Sequence, residues 1–379
     1  MKEDIMLDND ELQSKTIDLL RFPLTVAVVY IHMLPQIDMN DFKLNGISDE
    51  GLYSLFGLWG SNILASIAVP TFFFFSGFLF FNNKESWSKQ VFYRKILKRV
   101  RTLFLPYILW NIIAVLCSLV PLFFKSKMLF HDSLGIFGWP EVLRVFWNFH
   151  NWRGATNFIN ASPLILSAPF NVPFWFVRDL LVGVFLSPLI YFCITKFRYL
   201  YVIFLGLLYV INFDTNIPGL SCTMLFFFSL GGIFSLGKEN FLSIFKCVRY
   251  VSYGISCLLF FILTIYHDSF VYDILLPFFV CSGMISIVTI TSLVIDKRLV
   301  RNSHFLSESS FFVFSIHLIL ILKYSEKICD VLKLQHYIGK TGVYLVTPII
   351  CISVCLSLFC VLKKYFSGVL LLLTGERIK

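Results

Sequence analysis

The feature that most constrains this chain is the recurrence of long apolar runs. A helix needs roughly 20 mainly apolar residues to cross the hydrocarbon core of a bilayer. Ten stretches of the 379-residue chain approach that length, at about 16–35, 57–81, 102–124, 173–194, 199–214, 220–236, 250–266, 272–295, 305–323 and 342–362. Backbone polar groups must be satisfied internally in lipid, so such runs fold as helices. The expected fold class is all-α: a polytopic membrane helix bundle of about ten transmembrane helices. The pair 173–194 and 199–214 is separated by only a few residues and predicts a tight helical hairpin.

Composition agrees. Hydrophobic residues make up 57% of the chain and charged residues 15%, against about 25% charged in soluble domains. The net charge of +9 would suggest nucleic acid in a soluble protein. Here the cations cluster between the apolar runs, which makes them an orientation signal and excludes a nucleic-acid partner. With the N-terminus inside, the cytoplasmic loops and tail collect nineteen Lys and Arg and the opposite loops eight. The positive-inside rule then puts both termini in the cytoplasm. The head MKEDIMLDNDELQSK is acidic and polar and carries no A-x-A-like site, so no cleaved signal peptide is expected. The ten cysteines are scattered, without CxxC or metal spacing, so neither a disulfide framework nor a metal is expected.

Two outer loops are expected to be long. Residues 36–56 carry Asp38, Asp41, Asp49 and Glu50, and residues 125–172 carry Trp139, Trp147, Trp152, His131 and His150 among Asn, Ser and Gly. Aromatic and amide side chains together suit sugar recognition, and Trp equally suits the bilayer interface.

Ionisable groups inside apolar runs are costly and mark function by default. The stretch RFPLTVAVVYIH places Arg21 and His32 eleven residues apart. On a helix that is three turns plus 20°, so both lie on one face, about 16 Å apart along the axis. Asp18 is one turn before Arg21 and can pair with it. Pro23 is expected to distort the turn above Arg21. Arg21 has two readings: a snorkelling side chain or a functional cation. His32 likewise reads as a neutral imidazole satisfied by a neighbouring helix, as an interfacial group just below Pro35, or as a general base titrating near neutral pH.

In VPTFFFFSGFLFF, Ser76 and Gly77 remove bulk from a wall of phenylalanine and permit close backbone approach. Lys98 and Arg101, three apart at the start of a span, form a cationic pair suited to phosphate. Arg178 and Asp179 are adjacent, so on a helix they are expected to face apart and to find separate partners. Trp175 and Phe176 stand where that run begins. Glu308 and His317 are nine apart, on opposite faces, with His317 deep in its run.

Together these segments resemble the acyltransferase family 3 membrane proteins. The resemblance rests on Asp18 with the Arg-x10-His stretch, VPTFFFFSGFLF, RVRTLFLPYILW, PFWFVRDLL and SSFFVFSIH, in family order along nearly the whole chain. It implies one acyltransferase-like transmembrane domain over 1–379 with no additional soluble domain, in a bacterial plasma (inner) membrane. It implies transfer of an acyl group, usually acetyl, from acetyl-CoA or another acyl-CoA to a hydroxyl of a cell-surface or lipid-linked carbohydrate. On the matching positions it implies His32 as the catalytic residue, with Arg21 and Asp18 beside it. The family's donor-associated Arg-x-x-Arg pair is here Lys98-x-x-Arg101, and lysine keeps the charge but lacks the bidentate fork. Trp175, Arg178 and His317 are the candidate substrate-binding residues. Membrane lipid is the expected surrounding partner, and the sequence leaves room for a homo-oligomer. A glycan or small-anion transporter is the competing reading, since buried charges on many spans fit that class equally well.

Overall fold

The computed structural model describes residues 8–33, 48–83, 85–126, 145–147, 168–213, 215, 217–300 and 304–377. Every regular element among them is helical: α1 (Asn9–Ile31), α2 (Asp49–Phe81), α3 (Lys89–Leu119), α4 (Trp175–Phe185), α5 (Ser187–Val210), α6 (Cys222–Leu236), α7 (Phe241–Ile265), α8 (Phe270–Asp296), α9 (His304–Ile316), α10 (Leu322–Val331), α11 (Leu334–Tyr365) and α12 (Ser367–Thr374). Asp38, Asp41, Trp139, Trp152, His131 and His150 lie outside the described residues.

Six of these helices, α2, α3, α5, α7, α8 and α11, are long and apolar enough to cross a membrane. The bent pair α9–α10 is a seventh if counted as one span. The expected ten are not reproduced among the described residues, and the reasons are local. At 1.5 Å per residue, the 11 residues of α4 and the 15 of α6 fall short of a bilayer. The apolar stretch of α1 carries Lys15, Asp18 and Arg21 within one 18-residue window. The expected connection at 195–198 is a kink: α5 is two helices that meet at Arg198, where φ is 38° and ψ −111°.

Helix starts follow capping chemistry. The Ser48 hydroxyl accepts from Gly51 N at 3.2 Å, with Asp49 and Glu50 in the first turn of α2, where the helix dipole favours anions. The Ser88 hydroxyl accepts from Val91 N at 3.3 Å to begin α3, and Asn240 Oδ1 accepts from Ser243 N at 3.1 Å to begin α7. Proline explains two irregular stretches. The 3-10 turn Leu64–Ile67 of α2 precedes Pro70, whose missing amide would have met Ser66 O, whereas the π-turn Leu58–Ile63 lies beyond its reach. The π-turn Val100–Phe104 of α3 precedes Pro106. Each proline lacks the amide that would close the preceding turn. Pro23, by contrast, sits inside a continuous α1, and the expected distortion is absent. The Thr25 hydroxyl donates to Arg21 O at 2.9 Å just past it.

The chain divides into two units. The first comprises Met1–Ser86, Pro188–Phe213 and Cys222–Ser310. Its centre is α2, whose apolar window is 72% buried, whereas those of α5 and α7 are 17% buried and present Leu189, Phe192, Leu200, Ile203 and Phe261 outward, toward lipid. α2 crosses α6 at very short range. A Cβ at Gly77 would lie 2.0 Å from Phe228 O, and one at Gly231 would lie 2.1 Å from Phe74 O. The expected close approach at Gly77 is therefore real, and it has a reciprocal glycine on α6. Lipid supplies no hydrophobic drive between helices, so packing carries the association. Edge-to-face phenylalanines join this seam to α7, with Phe74–Phe241 at 5.2 Å and Phe78–Phe241 at 4.9 Å.

The second unit comprises Trp87–Ser187, Asp214–Ser221 and Phe311–Lys379. Here Trp110 Nε1 of α3 donates to Leu373 O of α12 at 2.9 Å, which docks the last helix. A break at Gly339, with φ +69°, divides α11 near its start, and that backbone conformation suits glycine.

Candidate functional site

The first unit holds a cavity of about 520 Å³. One strip of α1 forms a wall: Asp10, Gln13, Ser14, Ile17, Asp18 and Arg21, at helical spacings of three and four. The C-terminal end of α2 adds Phe78, Leu79, Asn82 and Asn83. The turn from α6 to α7 adds Phe234, Ser235, Lys238, Glu239 and Asn240. The cap that starts α7 also ties the walls together, since Asn240 Nδ2 donates to Asp10 Oδ1 at 2.8 Å.

Asp18 and Arg21 meet as expected: Arg21 Nη1 lies 2.8 Å from Asp18 Oδ1, both side chains about two-fifths exposed. Glu239 is likewise engaged by Arg198 at 2.9 Å. Each carboxylate of the cavity thus has a partner: Asn240 for Asp10, Arg21 for Asp18 and Arg198 for Glu239.

His32 lies on the same strip of α1, eleven residues beyond Arg21, but it is not in the cavity. α1 ends at Ile31, and His32 is the C-terminal capping residue, half-buried, with φ −83° and ψ −4°. The expected place deep within a span becomes a helix terminus. The end is held by Ser61, whose hydroxyl donates to Tyr30 O at 2.6 Å from the π-turn of α2. Between Arg21 and His32 the strip passes Thr25 and Val28, which are 1% and 3% exposed. Thr25 Oγ1 also approaches Ser310 O at 3.5 Å. The cavity therefore closes short of His32.

The other expected site residues belong to the second unit. Lys98 and Arg101 are both exposed on α3, Arg101 within the π-turn. Trp175 opens α4 and is buried. Arg178 and Asp179 depart from expectation in pairing with each other, Nη2 and Nε lying 2.9 and 3.1 Å from Asp179 Oδ1, and each makes further interactions as well. The long guanidinium stem folds back within the first turn of α4, which side-chain direction alone does not anticipate. Both are nearly sealed, and the guanidinium faces the Trp147 ring at 5.8 Å. Nearby in the chain, Asn171 N donates to Asn111 Oδ1 at 2.9 Å, and Asn171 Nδ2 donates to Ser315 O at 3.0 Å. His317 is fully buried, its Nδ1 2.9 Å from Phe314 O and 3.2 Å from Val313 O.

Several lining residues escaped the sequence reading. Gln13 and Ser14 were detectable in principle, because they continue the Asp18–Arg21 face one turn toward the N-terminus. Asn82, Ser235 and Asn240 come from distant segments with no local signature. No group of three His, Cys, Asp or Glu able to hold a metal occurs among the described residues.

Residues 14–362 match the family described as Acyltransferase domain. The succinoglycan biosynthesis protein ExoH of Rhizobium meliloti (strain 1021) is 25% identical over 228 residues, which is 60% of this chain and 55% of that protein. The match thus spans about half the length of that curated relative. No solved structure matches.

Proposed function

The chain belongs to this acyltransferase family, and on that premise we propose that it moves an acyl group, acetyl in the simplest case, from an acyl-CoA to a hydroxyl of a cell-surface or lipid-linked carbohydrate. The observation that carries the reading is the strip of α1 inside the family match, which bears Asp18 and Arg21 on one face of the helix and leads to His32 at its C-terminal cap. The relative's printed role in succinoglycan biosynthesis supports a carbohydrate acceptor.

His32 is the catalytic base. Its imidazole takes the proton of the acceptor hydroxyl as the oxygen attacks the thioester carbonyl. The C–S bond then breaks, and the proton returns to the departing thiolate. A variant of this route has the imidazole carry the acyl group briefly before the hydroxyl attacks. Arg21, held by Asp18, fixes the donor at the other end of the strip. An extended pantetheine arm bridges the ~16 Å between Arg21 and His32. The closed section at Thr25 and Val28 must open for the arm to pass, which couples donor binding to a motion of α1 against its neighbours.

The test is ester-linked acyl content of surface glycans in cells with the protein, without it, and with His32→Ala. Loss of the ester with export of the glycan intact supports transfer. Loss of the glycan itself in the deletion supports the transporter.

A further inference from the structure

We infer that the hook formed by the end of α12 and the residues after it, Leu373–Arg377, is a positioning element for the π-turn of α3 that carries Arg101. The inference rests on the reading of Lys98 and Arg101 as the cations that meet the phosphates of the acyl donor. It assigns the setting of Arg101 to a segment far from it in sequence.

Two observations point there independently. The first is that the π-turn Val100–Phe104 is costly in itself. It closes more widely than an α-turn, with Leu105 N donating to Val100 O five residues back. In a regular helix the Thr102 carbonyl would accept from the amide of residue 106, which is proline and has none. The Thr102 hydroxyl is buried and has no hydrogen-bond partner among the described residues. By contrast, Thr16, Thr25, Thr71, Thr289 and Thr374 each donate to the carbonyl four residues back. An unsatisfied buried hydroxyl is destabilising, and such local strain persists only where the surroundings over-determine it. π-turns inside helices occur frequently at functional sites.

The second observation is where the hook lands. Gly375 is left-handed, with φ +63°, and a Cβ there would lie 2.3 Å from Thr102 O. That is the carbonyl that Pro106 leaves without its α-helical donor, and it belongs to the residue next to Arg101. The hook is held on either side of this contact. Trp110 Nε1 of α3 donates to Leu373 O at 2.9 Å, and the Arg377 guanidinium lies 3.7 Å from the centre of the Phe311 ring on α9. With its backbone fixed at Thr102, the turn holds the exposed Arg101 in one direction relative to Lys98. A phosphate then meets both cations without first ordering the turn.

The experiment is isothermal titration of the purified full-length protein in detergent with coenzyme A, at low and at high salt. Wild type is compared with Arg101→Ala, Gly375→Ala and the double variant. Each single variant should bind about fivefold more weakly at low salt, the worth of one exposed charge contact, and the difference should shrink at high salt. The double variant should bind no more weakly than Arg101→Ala alone, because both changes remove the same contact. Gly375→Ala that weakens binding as much in the Arg101→Ala background as in wild type gives the hook a general structural role and overturns the inference. Unchanged affinity in Gly375→Ala beside a weakened Arg101→Ala also overturns it and leaves the donor site standing. Should Gly375→Ala fail to fold, Arg377→Lys carries the test, since it keeps the charge and gives up the flat face that stacks on Phe311. It should weaken coenzyme A about twofold in wild type and not at all in the Arg101→Ala background, and any other result overturns the inference. Unchanged affinity in Arg101→Ala, or wild-type protein that binds no coenzyme A, overturns the donor-site reading and the inference with it.

Discussion

Asp18 and Arg21 lie one turn apart on α1 and pair at 2.8 Å in the wall of a cavity. Both side chains are about two-fifths exposed, so the pair contributes only about 0–1 kcal/mol to stability after solvent screening. A pair worth so little to folding is available to function.

Arg21→Ala should therefore lower acyl transfer at least a hundredfold while shifting the melting temperature by only a few degrees. Arg21→Lys keeps the charge and should recover part of the activity, limited by loss of the bidentate fork. Parallel transfer assays and thermal unfolding in detergent check both. A large loss of stability in Arg21→Ala would make the residue structural.

Gly77→Ala and Gly231→Ala each drive a Cβ into a backbone carbonyl, at 2.0 and 2.1 Å, where no side chain can yield. Each should destabilise by about 1–3 kcal/mol or more, visible as a loss of the monodisperse folded fraction. Gly254→Ala, with nothing within 4 Å of the added Cβ, is the control and should behave as wild type.

The Arg178–Asp179 pair differs from Asp18–Arg21 because its side chains are almost fully buried, at 3% and 2% exposure. Asp179→Ala removes the carboxylate paired with a buried guanidinium and should cost about 3–5 kcal/mol. The double replacement Arg178→Met with Asp179→Leu should be milder than Asp179→Ala alone. Chemical or thermal unfolding of the three variants decides it.

Lys98 and Arg101 are exposed on α3, so Lys98→Ala and Arg101→Ala should leave folding untouched. If they meet the donor's phosphates, each should raise the KM for acyl-CoA several-fold at low salt, with kcat unchanged and the effect shrinking as salt rises. A KM insensitive to both substitutions removes them from the donor site.

The helical class, the glycine crossing and the phase of Asp18, Arg21 and His32 were legible because each rests on local periodicity. The number of spans was not, because hydropathy alone does not register how short α4 and α6 are or the charges Lys15, Asp18 and Arg21 that interrupt α1. His32 was placed deep in a span because the apolar run continues to Pro35, whereas the helix stops at Ile31. The Arg178–Asp179 pair was missed because residue spacing ignores the reach of an arginine stem. The far wall of the cavity was invisible because Asn82, Ser235 and Asn240 meet α1 only in three dimensions.

The most direct test of the central claim is the ester-linked acyl content of surface glycan in cells whose only copy of the protein carries His32→Ala. The account predicts no ester above the deletion background, with wild-type amounts of glycan and of membrane-embedded protein. Wild-type ester content in that variant would contradict it.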